Sequence, residues 1–326
     1  MSAFVTDIPH AVASFYDRLM LEREKPYIVH GNFGQVRNIP VGNTGTIKFR
    51  KYGELAVNTT ALTEGETPAG TSATVSDITA VALWYGDYMT YSDQVTIESP
   101  DPVLTELTEV LSEQAGQSVD TLDRNVLVAG TNVMFADANS PKVNAATGDI
   151  VATDVIDSTT LTNAIADLRS SNAKYITNFV SPDAGYLTTP VAPCFVGIIH
   201  PMISAQLKAI SGFSPVEQYA NKGDVMPNEI GKYDRVRFVE STMAYVDEGA
   251  GDGGGGEDVY STLIFGKDAY GITSIQGNAM KMIVKQLGSS GSADPLNQRG
   301  TIGWKANHIC RILNQAWMIR IEHAAV

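Results

Sequence analysis

The chain has 326 residues, 44% of them hydrophobic and 8% aromatic, which is enough to bury a substantial core and excludes a disordered chain. Its 36 acids against 23 bases give a formal charge of −13, which excludes a free-standing nucleic-acid binder built on a basic face and leaves only weak, sequence-blind contact with duplex DNA. Cys194 and Cys310 lie far apart in apolar surroundings and read as buried free thiols, neither a disulfide framework nor a metal site.

The start, MSAFVTDIPHAV, lacks the basic region and apolar core of a signal peptide, and nothing approaches the roughly 18-residue apolar run of a membrane span. Folding in a reducing cytoplasm without membrane contact is expected. Pro9 to Pro26 places Val12, Phe15, Tyr16, Leu19 and Met20 at helical spacing. Tyr27 to Gly45 holds too many glycines and prolines for a helix and suits an extended arm. Thr46 to Leu55 and Ile78 to Ile97 read as strands around a polar Thr-, Gly- and Ser-rich stretch, hence a long hairpin. With roughly 15 residues a side it reaches about 50 Å, against a radius of gyration of about 20 Å for a compact chain of this size. Such a hairpin must project or lie along another molecule.

Asp101 and Pro102 form a helix start, and Leu104, Leu107, Leu111, Ala115, Val119, Leu122, Val126 and Val133 keep the helical period to about Ala136. Unbroken, this helix is about 50 Å long. Glu106, Glu109 and Glu113 line its outer side three and four apart, an arrangement that wants a cation from elsewhere. A polar loop (Asn139 to Val151) and a second amphipathic helix (Ser158 to Asn172) follow. Then come a strand (Phe195 to His200), a short helix (Met202 to Ile210), and strands over Arg235 to Thr242 and Val259 to Ser274, with a glycine-rich hairpin tip at Asp247 to Asp258 between them. Alternation at Met280, Met282 and Val284, at Ile302, Trp304 and Ala306, and at Ile309, Ile312 and Met318 to Ile321 returns the end of the chain to a sheet.

The charge is uneven. Tyr52 to Asp123 contains 13 acids and no lysine or arginine, whereas Met1 to Lys51 carries +3 and Ile275 to Val326 carries +4. Basic ends around an acidic middle fit either internal pairing or docking of one subunit's middle on another's ends, and charge alone does not choose.

No catalytic pattern emerges. Gly231-Lys232 and Gly266-Lys267 are followed by Tyr233 and Asp268 rather than the Ser or Thr of a P-loop, and GSSGS at Gly288 to Ser292 is a flexible loop rather than a nucleophile elbow. His10, His30, His200, His308 and His323 show no metal spacing, and His200 before Pro201 reads as a turn residue. The acid pairs Asp87 with Asp93 and Asp247 with Glu248 read as solvated or interface charges rather than a glycosidase pair. The 247–258 loop lacks the ligand order of a calcium loop. No enzyme activity, cofactor or metal is expected.

Several stretches carry a family resemblance: IPVGNTGTIKFRKY (Ile39 to Tyr52), ALTEG (Ala61 to Gly65), YGDYMTYSDQ (Tyr85 to Gln94) and EQAGQSVDTLDRNVLVAGTNVMFA (Glu113 to Ala136). Further on come FVGIIHP (Phe195 to Pro201), NEIGKYDRVRFVEST (Asn228 to Thr242), YSTLIFGKDAYG (Tyr260 to Gly271) and, strongest, IVKQLGSSGSADPLNQRGTIGWK (Ile283 to Lys305). With the element order they resemble the major capsid proteins of tailed bacteriophages, which share the Hong Kong 97-type fold. The resemblance implies an α+β coat subunit that forms hexamers and pentamers in an icosahedral shell around double-stranded DNA. It implies assembly in the bacterial cytoplasm, residence in the virion capsid, and portal, scaffolding and decoration proteins as partners. It further implies an N-arm over residues 1–35, an extended loop over 36–94, a peripheral domain over 95–175 and 277–326, and an axial domain over 176–276. No long coiled extension precedes these, so scaffolding is expected from a separate protein, and no Lys–Asn crosslink between subunits is expected. Inter-subunit contacts are expected from Leu62 and Glu64 in the loop, from Glu106, Glu109 and Glu113 on the long helix, and from Arg18, Arg23, Lys48, Arg50, Arg299 and Arg311 as their cationic counterparts. The competing readings are an encapsulin-like protein compartment and a secreted carbohydrate-active or adhesive β-rich protein.

Overall fold

The computed structural model describes residues 29–42, 44–53, 55–98, 103–136, 150–180, 188–219, 225–251, 256–277, 279–289 and 294–325. The helix expected over Pro9 to Pro26, with Arg18 and Arg23, lies outside the described residues. So do the Asp101-Pro102 helix start, most of the 139–151 loop and the 252–255 glycine run.

Strand β1 (Gln35–Ile39) follows the buried residues Val29 and His30. Strands β2 (Thr46–Tyr52) and β3 (Val75–Val81) form the expected hairpin, registered from Thr46 opposite Val81 to Tyr52 opposite Val75. Its ladder has 7 residues a side, about half of what the sequence led one to expect. The Gly53 N–H donates to the Thr74 carbonyl at 2.8 Å, and beyond that the tip has no ladder and residues 55–77 are exposed. Short Thr, Ser and Gly side chains supply little of the cross-strand packing that holds a ladder together.

The run Ile78 to Ile97 is not one strand. At Ala82, whose N–H donates to the Gly45 carbonyl (2.7 Å), the chain changes sheets and enters β4 (Leu83–Ser92). It then turns into α1 (Asp93–Glu98), because Ser92 Oγ accepts the Val95 N–H and the Thr96 hydroxyl donates to the Ser92 carbonyl. These local bonds offer the backbone an alternative to a ladder.

Helix α2 (Val103–Val128) is the long helix, 26 residues or about 39 Å, and it stops short of Ala136. The Gly130 N–H donates to the Leu127 carbonyl, a Cβ on Gly130 would lie 2.7 Å from Met318 Cε, and Val133 belongs to β5 (Val133–Phe135). The Arg320 guanidinium donates to the Val128 carbonyl, placing a cation on the helix C-terminus.

Helix α3 (Ser158–Ser170) begins at Asp157, whose carboxylate accepts the Thr160 N–H at 2.7 Å, and buries Leu161, Ala164, Ile165 and Leu168. Next come β6 (Ile176–Val180), β7 (Thr188–Ile199), α4 (Ser204–Ala209), β8 (Phe213–Pro215), β9 (Glu229–Tyr233), β10 (Val236–Glu240) and β11 (Val246–Asp247). The expected strand Val259 to Ser274 is two strands, β12 (Val259–Phe265) and β13 (Tyr270–Ile275). A turn separates them, with Asp268 at φ 60° and the Lys267 N–H on the Lys174 carbonyl. Strands β14 (Met280–Lys285), β15 (Arg299–Ile312) and β16 (Met318–His323) complete the chain.

The fold is α+β, with two principal sheets. In the first, β15 is the shared strand: β4 and β14 flank its first part, β13 pairs with its last residues, and β1 lies parallel to β13. The second has nine strands, with the main order β5-β16-β12-β7-β10-β9-β8. Helix α2 covers one face of the β4-β15-β14 segment through Leu111 and Ala115 on Ile302, Trp304, Ala306 and Met282. Helix α3 contributes Leu161, Ile165 and Leu168 to the larger core with Phe195, Phe238, Ile264 and Ile319. Because β5 and β16 lie in the nine-stranded sheet, the sheets cross the domain boundaries that the resemblance implied.

Candidate assembly surfaces

Period-2 alternation on β2 sends Ile47 and Phe49 inward and Lys48 and Arg50 outward. The register sets Arg50 opposite Asp77, and Arg50 Nε donates to Asp77 Oδ1 at 3.0 Å. That bond holds the Asp77 carboxyl below its usual range and raises the guanidinium. The pair is intramolecular and exposed, so it contributes little to stability. Leu62 is 77% exposed in the tip, with Glu64 exposed beside it.

On α2, Glu106 is exposed and Glu109 and Glu113 are half-buried. Gln114 ties the helix to the sheet by accepting from Trp304 Nε1 (3.2 Å) and donating to Asp87 Oδ2 (2.6 Å). The Gln114 bond, with the Tyr88 N–H, holds the Asp87 carboxyl low. Arg299 and Arg311 are exposed toward opposite ends of β15, roughly 40 Å apart at strand spacing. Thus the structure gathers Lys48 and Arg50 on one hairpin face, Leu62 and Glu64 at the tip and three glutamates on α2, and leaves the two β15 arginines apart.

The acidic segment is less uniform than its charge implied. Asp77 and Asp87 are bonded as described, and the Asp93 carboxylate accepts the Gln94 N–H. Asp120 and Asp123 are fully buried on α2. Asp120 accepts the backbone N–H groups of Val29 and His30 (2.9 Å each) and His30 Nδ1 (2.8 Å). Asp123 accepts His308 Nε2 at 2.6 Å. At least five of the acids in the segment therefore act within the chain. Sequence reasoning missed the two buried ones, although Asp123 falls four residues after Val119 and four before Leu127, on the buried stripe itself. Also missed was the buried pair in which Arg237 Nε and Nη2 each donate to Glu229 at 2.6 Å while Tyr219 donates to the same carboxylate.

Among the described residues no group of three or more His, Cys, Asp or Glu side chains can hold a metal, and no helix is long and apolar enough to cross a membrane. Both cysteines are buried free thiols; burial pushes Cys194 up to about 11, and burial with the Asp123 charge pushes Cys310 further. His200 Nδ1 accepts the Met202 N–H, as a turn residue does.

A groove of about 550 Å³ lies on the β4-β15-β14 sheet, bordered by Trp84, Tyr88, Ile283, Lys285 and Lys305. A second, of about 450 Å³, lies at the hairpin base among Arg37, Lys48, Lys51, Phe49 and Trp317.

No protein-family profile and no curated protein matches the sequence. Solved structures do. The head structure of Helicobacter pylori bacteriophage KHP40 matches with a TM-score of 0.65 over 92% of this chain and 90% of that chain, at 12% identity. The capsid of Ralstonia phage GP4 matches with a TM-score of 0.62 over 93% and 90%, at 10% identity. The capsid asymmetric unit of cyanophage Pam1 matches with a TM-score of 0.61 over 93% and 92%, at 14% identity. The likeness is one of fold: the chain has the phage-capsid fold that its sequence resemblance implied.

Proposed function

We propose that this chain is a structural coat subunit that assembles into hexamers and pentamers of an icosahedral phage head enclosing double-stranded DNA. The observation that carries this reading is the match to phage capsid and head structures over about nine-tenths of both chains. The hairpin supports it: residues 55–73, beyond the ladder, are exposed in the single chain and include Leu55, Val57 and Leu62, so they gain order and apolar burial only against another molecule.

In this reading residues 1–35 are the N-arm, 36–94 the extended loop, 95–175 with 277–326 the peripheral region, and 176–276 the axial region, with β16 tying the last two together. Leu62, Glu64 and the α2 glutamates Glu106, Glu109 and Glu113 meet basic residues of neighbouring subunits, among which are Arg18, Arg23, Lys48, Arg50, Arg299 and Arg311. Portal, scaffolding and decoration proteins are its partners in the virion, assembly takes place in the host cytoplasm, and DNA is touched weakly and without sequence preference. The role is architectural, with no catalytic step.

Negative-stain microscopy of the protein expressed alone and with its scaffolding partner tests this. Closed polyhedral shells or ring-shaped capsomers are expected, and monomers that persist at high concentration in both preparations overturn the reading.

A further inference from the structure

The hairpin β2-β3 is a sheet of its own, separate among the described residues from the β1-β13-β15 layer beside it. Its base is held by the Ala82 N–H on the Gly45 carbonyl and by the Phe49 ring, which rests where Gly271 leaves room. A Cβ on that glycine would lie 3.0 Å from Phe49 Cζ and 3.2 Å from Leu313 Cδ1. The gap that remains between hairpin and body is the groove of about 450 Å³.

Both walls of this groove carry cations. Lys51 follows Phe49 by two positions, so alternation puts it on the face of β2 that looks toward the body. Arg37 is two positions from Gln35, which lies opposite Gly271 in register, so it stands on the facing wall. Both are exposed, and among the described residues neither makes an ion pair or a side-chain hydrogen bond. Lys48 and Arg50 border the groove as well, the latter engaged by Asp77, and the acid of the lining is Asp268. Lys174 Nζ adds a further cation 5.8 Å from the ring of Trp317, another lining residue. In a chain of net charge −13, like charges facing each other across a gap need a reason, because their repulsion pushes the hairpin away from the body.

We infer that this groove binds a phosphate group between the Arg37 guanidinium on β1 and the Lys51 ammonium on β2, and that its occupancy fixes the angle of the hairpin against the body. A guanidinium donates to two phosphate oxygens at once, and a lysine supplies a point charge from the opposite wall. Asn314 Oδ1 accepts the Ala316 N–H at 3.3 Å, which leaves the amide NH2 as a neutral donor in the lining. The apolar lining residues Ile47, Phe49, Ile78 and Leu313 are already half-buried, so the groove lacks the exposed apolar anchor on which a docked protein depends. The inference goes beyond the coat reading and does not rest on it, since it concerns how one chain holds its own hairpin.

Spin labels read the hairpin angle. Cys194 and Cys310 are buried, so Ser72→Cys near the tip and Lys208→Cys on α4 supply the reactive thiols of the full, unassembled chain. Inorganic phosphate is expected to narrow the distance distribution between the labels with a half-effect at about 1–10 mM, while chloride at matched ionic strength does not. Arg37→Gln with Lys51→Gln is expected to raise the required concentration about tenfold, and Lys281→Gln with Lys285→Gln, on β14, to leave it unchanged. Cooperative urea unfolding confirms that each variant is folded, and Lys51→Gln alone repeats the test at a single exposed position. A short DNA duplex separates the two sources of the group. If it narrows the distribution through Arg37 and Lys51, the site takes a nucleic-acid backbone; if only inorganic phosphate acts, the site takes the free anion. A distribution that phosphate leaves unchanged, a response that chloride reproduces, or one that survives the loss of Arg37 and Lys51 overturns the inference and leaves the coat reading untouched.

Discussion

The buried carboxylate of Asp120 holds His30 twice: Oδ1 accepts the residue's own backbone N–H at 2.9 Å, and Oδ2 accepts its ring Nδ1 at 2.8 Å. With the Val29 N–H also donating to Oδ1 and the Tyr270 hydroxyl donating to the His30 carbonyl, the middle of α2 fixes the point where residues 29 and 30 enter the core. Asp120→Ala leaves three buried donors without their acceptor and is expected to cost about 3–5 kcal/mol in urea unfolding of the unassembled subunit. A loss below about 1 kcal/mol contradicts the assigned geometry.

The Glu229–Arg237 pair sits in the larger sheet with both side chains almost fully buried. Arg237→Met strands a buried carboxylate and is expected to cost about 3–5 kcal/mol. Adding Glu229→Gln removes the stranded charge, so the double variant should be more stable than Arg237→Met alone. A double-mutant cycle reads the coupling directly; additive effects count against a shared network.

His323 supplies the pH dependence. It is fully buried, its Nδ1–H donates to the Ala324 carbonyl at 3.0 Å, and its Nε2 accepts from the Thr262 hydroxyl at 2.8 Å, an arrangement suited to the neutral ring. Burial pushes it down to about 4. Between that value and the ordinary imidazole value near 6.5, the unfolded chain binds the proton and the folded chain does not, so stability rises with pH across this window. Acidification from pH 7 to pH 4 should therefore remove on the order of 3 kcal/mol through this residue. His323→Gln should flatten that part of the profile, and equal slopes in the two proteins refute the assignment.

The thiols of Cys194 and Cys310 should resist alkylation by iodoacetamide at pH 8 in the folded subunit and react fully in denaturant. Both are buried, and both are held in the thiol form by burial. Fast labelling of either in the native protein is incompatible with the observed packing.

Much of the architecture was legible because it depends on local pattern. The apolar stripe of α2, the Asp157-capped α3, the hairpin and the alternation of β14 and β15 all follow from periodicity and turn chemistry that the chain carries in order. The errors fall at element ends. Ile78 to Ile97 and Val259 to Ser274 each look like continuous strands, but one is broken at Ala82 and ended by the Ser92 and Asp93 side chains, and the other is broken by the turn at Asp268. The helix end at Val128 is set by β16, through Arg320 and Met318, nearly two hundred residues away in sequence.

Charge illustrates the division between the two levels. From the sequence alone come the α+β class, the projecting acidic hairpin, the absence of a recognisable catalytic motif and the location of the −13 surplus in Tyr52 to Asp123. Only the tertiary structure decides which of those acids are already used: Asp120 and Asp123 meet histidines about ninety and nearly two hundred positions away, and Asp77 meets Arg50 across the hairpin. It also decides that Lys281 and Lys305, 24 positions apart, stand directly opposite each other in the β14–β15 ladder. A carboxylate's role depends on which cation and how much water surround it, and both are properties of long-range pairing rather than of local sequence.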